Sequence, residues 1–258
     1  MRRPLILISN DDGISAPGLA TLIQAVRDLG EVWVFAPDKG QSGTSCAISL
    51  TVPVTCRKVH EEDGLTMFSC SGTPVDCVKL GIHKLLPRTP DLILGGINKG
   101  DNSAVCLHYS GTVGVALEGA MKRIPSVAFS LCCDGLPSED YSPTVPHIRR
   151  IVTDILQQGL PDWTCLNVNF PVVGTFRGTR ICRQAYGLWV NEWMPCGSAQ
   201  TDDTESYQMA GDYVRLDEDH EGTDMWALKN GYIAITPLHI DITASSLITE
   251  LRHRGMGD

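Results

Sequence analysis

Leu5-Ile6-Leu7-Ile8-Ser9-Asn10-Asp11-Asp12-Gly13 decides the fold: an apolar run of strand length stops abruptly on two adjacent carboxylates. Continuous apolar runs of this kind belong to strands buried on both faces, as in parallel α/β sheets. Ligands of such sheets bind outside the carboxyl ends of the strands, which is where Asp11 and Asp12 fall. Neighbouring carboxylates repel each other and are costly to desolvate. A hard divalent cation, Mg²⁺ or Mn²⁺, between them and an anionic substrate makes sense of the pair. Asn, Asp and Gly are also the usual turn residues, so a plain turn is the competing reading of these residues alone.

Outward from this stretch, strand-like and helical patterns alternate as βαβ units do. Leu19, Leu22, Ile23, Val26 and Leu29 predict a helix from Pro17 to about Leu29, and Val32–Ala36 a second strand followed by the turn-rich Pro37–Gly43. Ile48–Val59 reads as extended, and Met67–Cys70 as a short strand. Thr73 as N-cap, Pro74 in the first turn and Asp76 three residues after the cap open a helix to about Leu86. Asp91–Leu94 is a strand entering the polar loop Gly95–Asn102, and Tyr109–Thr112 opens a helix to about Lys122. A strand over Ser126–Leu131 and a helix over Thr144–Leu156 follow. Between 186 and 224 the chain is polar, with Trp189, Trp193, Met194 and Tyr207 scattered among acidic clusters, Asp202-Asp203 and Asp217-Glu218-Asp219. We read it as a protruding arm, with either a subunit contact or a small satellite core as its role. Tyr232–Thr236 and a terminal helix from about Ala244 complete a single domain over 1–258.

Composition narrows the class. The chain has 258 residues, 43% of them hydrophobic, enough for a large core, and its net charge of −9 argues against a nucleic-acid or anionic-membrane surface. Any bound phosphate must therefore be neutralised locally. The ten cysteines are spread through apolar segments without a C-x-x-C, which points to mostly buried thiols rather than a disulfide scaffold or zinc site. Met1-Arg2-Arg3-Pro4 leads into too short an apolar run for a signal peptide, and no stretch approaches the ~20 apolar residues of a membrane helix, so a cytoplasmic enzyme is expected.

Gly-rich polar segments around Asp11-Asp12, Ser42-Gly43, Asn98 and Ser110-Gly111-Thr112 follow strand-like runs or open helices, and a parallel sheet brings such segments to one rim. Mg²⁺ takes oxygen ligands and keeps several waters, so Asp11, Asp12, the Ser42 hydroxyl and the Asn98 carboxamide form a fitting set. Taken singly, Ser42 is equally a turn residue and Asn98 a cap for its own loop. Ser110-Gly111-Thr112 has the hydroxyls, glycine and free N–H groups of a phosphate cradle at a helix N-terminus, and equally those of an ordinary cap. Ser71-Gly72-Thr73 repeats the pattern more weakly. Lys99 suits a phosphate oxygen or open solvent, His108 beside the cradle suits protonation of a leaving oxygen or, the reading we favour, a structural place, and His83 in its helix reads as structural. In catalysis, Asp11 and Asp12 serve either as acceptors of a proton from ion-activated water or, for Asp11, as the nucleophile.

Ordered blocks carry a family resemblance: I-L-I-S-N-D-D-G at the start, A-P-D-K-G-Q-S-G after the second strand, S-G-T-P-V-D-C-V at Ser71–Val78, G-I-N-K-G-D-N at Gly96–Asn102, Y-S-G-T-V-G-V-A-L-E-G at Tyr109–Gly119 and G-Y-I-A-I-T-P-L at Gly231–Leu238. The chain resembles the SurE family, the survival-protein E nucleotidases, nearly end to end. The resemblance implies a Rossmann-like three-layer core with a mostly parallel sheet and a C-terminal arm exchanged in homodimers or homotetramers. It also implies one divalent metal per subunit on Asp11, Asp12, Ser42 and Asn98. The implied activity is hydrolysis of nucleoside 5′- and often 3′-monophosphates, with short polyphosphate as a further substrate of some members. Gly95 departs from the Ser usual before G-I-N.

A haloacid-dehalogenase-type phosphatase needs D-x-D, whereas the aspartates here are adjacent. P-loop chemistry lacks its G-x-x-x-x-G-K-[ST]. A nucleotide- or metal-sensing module without turnover is the remaining alternative, and release of inorganic phosphate separates it from an enzyme.

Overall fold

The computed structural model describes residues 2–133, 140–172, 175–196, 205–217 and 220–256. Its chain order begins β1 (Leu5–Ser9), α1 (Pro17–Val26), β2 (Glu31–Pro37), β3 (Cys56–Glu62), β4 (Leu65–Cys70), α2 (Pro74–Leu80) and β5 (Leu92–Lys99). It continues with α3 (Gly111–Met121), β6 (Ser126–Leu131), α4 (Val145–Gln158), β7 (Thr164–Phe170) and β8 (Thr179–Ile181). The last third holds β9 (Gly187–Val190), β10 (Trp193–Pro195), β11 (Tyr207–Met209), β12 (Asp212–Arg215), α5 (Asp224–Lys229), β13 (Ile233–His239) and α6 (Ser245–His253).

One nine-stranded sheet runs in the order β3-β4-β2-β1-β5-β6-β7-β13-β8. From β4 to β7 the neighbours are parallel; β3 and β13 pair antiparallel with β4 and β7. Because β2 and β5 flank β1 on opposite sides, the order reverses between β1 and β5, the place where open α/β sheets form their ligand crevice. The period of two along β1 divides the core. Ile6 and Ile8 pack under α1 and α4 on one face, while Leu7 joins Phe35, Cys77 and Val78 under α2 on the other. All five residues of β1 are buried, which fixes the direction and height of the chain leaving it.

The N-cap expected at Thr73 is present, and with Asp76 it forms a full capping box: each side chain accepts the other residue's backbone N–H. That helix widens into a single π turn over Gly81–Leu85 before it ends. Three expectations are corrected. Residues 48–55 are irregular and the strand begins only at Cys56, because Asp76 Oδ1 and Thr73 Oγ1 pull the backbone of Ser49 and Ala47 onto the start of α2. The stretch expected to be a loop after Leu94 instead continues β5 to Lys99, with a register slip against β6 between Gly95 and Asn98. Such bulges re-aim side chains at functional rims. Gly95 makes the continuation possible, since a Cβ there would stand 2.6 Å from the Thr112 carbonyl oxygen; α3 lies closer to β5 than a serine would permit. Finally, only Cys70, Cys77, Cys165 and Cys182 are buried, the other six cysteines being partly accessible, and all ten are free thiols.

The polar stretch 186–224 holds two short antiparallel pairs, β9–β12 and β10–β11. Asp202-Asp203 and Glu218-Asp219 of its acidic clusters lie outside the described residues. α5 and β8 carry no pattern long enough to be read from sequence.

Candidate active site

Asp11 leaves β1 directly under the N-terminus of α3. It is almost completely buried, 4% exposed, and its carboxylate accepts the Gly111 N–H at 3.1 Å and the Thr112 hydroxyl at 2.6 Å. These bonds and the positive end of the α3 dipole favour the charged form. Burial outweighs them and raises the Asp11 pKa above the ordinary carboxylate value. The absence of a side chain at Gly111 is needed here, because a Cβ would come within 2.8 Å of Asp11 Cβ. The donors expected to cradle phosphate thus act, in this geometry, on Asp11. Ser110 caps the helix by accepting the Val113 N–H and also lines the cavity.

The other expected ligands gather around this point. Asp12 Oδ2 accepts the Lys99 N–H at 3.1 Å, joining the ends of β1 and β5. Gln41 N–H donates to the Asp11 carbonyl at 2.7 Å, which brings its neighbour Ser42 to the aspartates. The Ser42 loop is held further on by Ser45, whose N–H and hydroxyl donate to the carbonyls of Tyr109 and His108. Asn98 donates its amide nitrogen to the Gly100 carbonyl at 2.9 Å, so its carboxamide oxygen is the atom that could hold a cation. The turn after β1 is present as well, since Asn10 Nδ2 donates to the Gly13 carbonyl.

Asp11, Ser42, Asn98 and Ser110 line one cavity of about 470 Å³, together with Gly43, Lys99 and Tyr109. Asp12 sits beside it, bonded to the backbone of Lys99. Among the described residues no group of three or more His, Cys, Asp or Glu is arranged for a metal, so the site would rest on two carboxylates, a hydroxyl and a carboxamide. An all-oxygen set with a buried carboxylate held by neutral donors fits a hard cation such as Mg²⁺ or Mn²⁺ and poorly fits zinc or copper. His108 is exposed and contacts Gln184, and His83 is exposed on the π turn.

Three parts of the site escaped sequence reasoning. Asn102 receives support from its N–H to Asn169 Oδ1, from its amide to Ser130 Oγ and from the Asn167 amide to its carbonyl, an all-buried network under the β5 rim. Asparagines alternating with apolar residues in Leu166–Phe170 were the available signal, because Asn is disfavoured inside strands. Asp224, fully buried, accepts N–H bonds from Ala104, Ala185 and Met225 and so ties the rim loop to the base of the arm. Burial raises its pKa as well. The arm itself forms the far wall of the cavity, through Trp189, Glu192, Met209 and Ala210.

A Rossmann-like α/β sheet with an acidic, oxygen-rich pocket at its topological switch point defines a class of ligand-handling proteins rather than one activity. The family model described as Survival protein SurE matches residues 6–191, and the chain belongs to that family. A protein named 5′-nucleotidase SurE from Bacteroides thetaiotaomicron is 49% identical over 250 residues, covering 97% of this chain and 95% of the relative. One of the same name from Flavobacterium psychrophilum is 42% identical, covering 98% of each chain. The crystal structure of the SurE protein from Aquifex aeolicus aligns with a TM-score of 0.81 at 34% identity, covering 98% of this chain and 100% of that one.

Proposed function

We propose that this chain is a divalent-metal-dependent phosphomonoesterase that hydrolyses nucleoside 5′-monophosphates, and 3′-monophosphates, to nucleoside and phosphate, with exopolyphosphatase action as a side activity. The observation that carries the reading is the burial of Asp11 at the switch point, beside Asp12, in a pocket shared with Ser42 and Asn98. The relatives named 5′-nucleotidase SurE supply the reaction class.

Asp11, Asp12, Ser42 and Asn98 would hold one Mg²⁺ or Mn²⁺ per subunit. When bound, such an ion supplies charge neutralisation and Lewis-acid polarisation at a phosphoryl oxygen. The chain's own groups do the positioning. Gly111 N–H and the Thr112 hydroxyl fix the orientation of the Asp11 carboxylate, and the Lys99 N–H fixes Asp12. Ser110 and the Gly43 backbone border the space left for phosphate, and water is the final phosphoryl acceptor. The enzyme works in the cytoplasm as a homodimer or homotetramer through the arm, where Trp193, Met194, Tyr207 and Met209 are exposed. Among the described residues no helix is long and apolar enough to cross a membrane.

The test is release of inorganic phosphate from AMP and GMP with Mg²⁺ or Mn²⁺. Turnover that stops on chelation and returns with metal is expected. Nucleotide binding without phosphate release would favour the sensing module instead.

A further inference from the structure

The cavity has two walls of different chemistry. The sheet rim contributes Asp11, Ser42, Asn98 and Ser110, and the arm contributes Trp189, Glu192, Met209 and Ala210. A phosphate needs nothing from the second wall, and a carboxylate there would repel it. The arm groups therefore serve the part of the substrate away from phosphorus.

Trp189 is built as a platform. Tyr213, its register partner on β12, meets it edge-on with ring centroids 5.1 Å apart. Glu192 follows at the neck between the two strand pairs, where its carbonyl accepts the Ala210 N–H at 2.9 Å. A cavity of about 470 Å³ is in the range that takes a small-molecule ligand whole.

We propose that the arm forms a purine-base subsite, with Trp189 stacking on the base and Glu192 accepting N–H donors from its edge. The inference rests on the phosphomonoesterase reading and extends it to substrate choice. A bicyclic purine overlaps more of an indole than a pyrimidine does, and guanine presents two adjacent donors that one carboxylate can accept together.

The experiment compares kcat/KM for GMP with that for ribose 5-phosphate, which lacks a base, on the wild type and on Trp189→Ala. The GMP-to-ribose 5-phosphate ratio is expected to fall about tenfold in Trp189→Ala, the usual scale of one base–aromatic stack. Trp189→Tyr, which keeps a flat ring, retains most of the ratio. Where Trp189→Ala unsettles the arm, Trp189→Leu gives the same loss while filling the space. Glu192→Gln lowers the preference for GMP over UMP. Equal ratios in wild type, Trp189→Ala and Trp189→Leu overturn the subsite while leaving the phosphatase reading intact. If the wild type hydrolyses neither substrate, the phosphatase reading fails. Calorimetric titration with guanosine then decides the subsite separately: binding to the wild type that weakens in Trp189→Ala supports it, and binding unaffected or undetectable in both overturns it.

Discussion

The sheet rim and the arm face each other across one cavity, yet they are held by different means. At the rim Asp11 is 4% exposed and fastened by the start of α3, on a strand with five buried residues. The arm pairs its strands only in twos and leaves Trp193, Met194, Tyr207 and Met209 exposed. Asp224, a buried carboxylate, ties the arm's base to the rim loop. On the proposed function, the contrast teaches a division of labour: the buried carboxylate that would face phosphate is held rigidly by strand and helix, and the groups proposed to meet the variable part of a substrate sit on a separable extension.

The contrast breaks most readily at the rim. Asp12→Asn keeps an acceptor for the Lys99 N–H but removes half the carboxylate charge, so phosphate release is expected to fall about 10²- to 10³-fold with Tm unchanged. Steady-state kinetics beside a thermal melt checks this, and near-normal turnover would contradict it. Gly111→Ala forces a methyl group against Asp11 and displaces its carboxylate; the expected loss is about 10²-fold in kcat at near-native helix content by circular dichroism.

At the junction of the two regions, Asp224→Ala leaves three backbone N–H groups without their acceptor and is expected to cost about 2–3 kcal/mol. For a chain of this size that is a fall of about 4–12 °C in Tm, measurable by calorimetry. An unchanged Tm would mean that the arm is anchored elsewhere.

The smallest effect lies away from both regions. Burial pushes the Asp76 pKa up, but the hydrogen bonds from Ser49 and Thr73 outweigh it and hold the group below its ordinary 3.8. A depressed carboxylate pKa gives stability that is present above the unfolded value and lost as pH falls through the folded one. Asp76→Asn is therefore expected to cost about 1 kcal/mol at pH 7, with wild type and variant converging below pH 3.8 in urea titrations. A gap that persists in acid would assign the cost to packing.

Legibility in the sequence follows the same contrast. The rim was readable because its elements are local: an apolar run, a cap and a turn each leave a signature within ten residues, and the order of blocks put Asp11, Ser42, Asn98 and Ser110 at one edge. The roles of Gly111 and Thr112 were less readable, since a helix N-terminus accepts a protein carboxylate as readily as a phosphate. Asn98 within a bulged strand depends on Gly95 meeting α3, a contact no spacing reveals. Asp224, the asparagine network and the arm's approach to the cavity are long-range: Asp224 bonds Ala104 across 120 positions.

The most direct measurement is an anomalous difference map from crystals of the protein soaked in Mn²⁺. The account predicts one peak per subunit about 2.1 Å from oxygens of Asp11, Asp12, Ser42 and Asn98, absent in Asp12→Asn. A peak elsewhere, or none at a Mn²⁺ concentration that supports phosphate release, would contradict it.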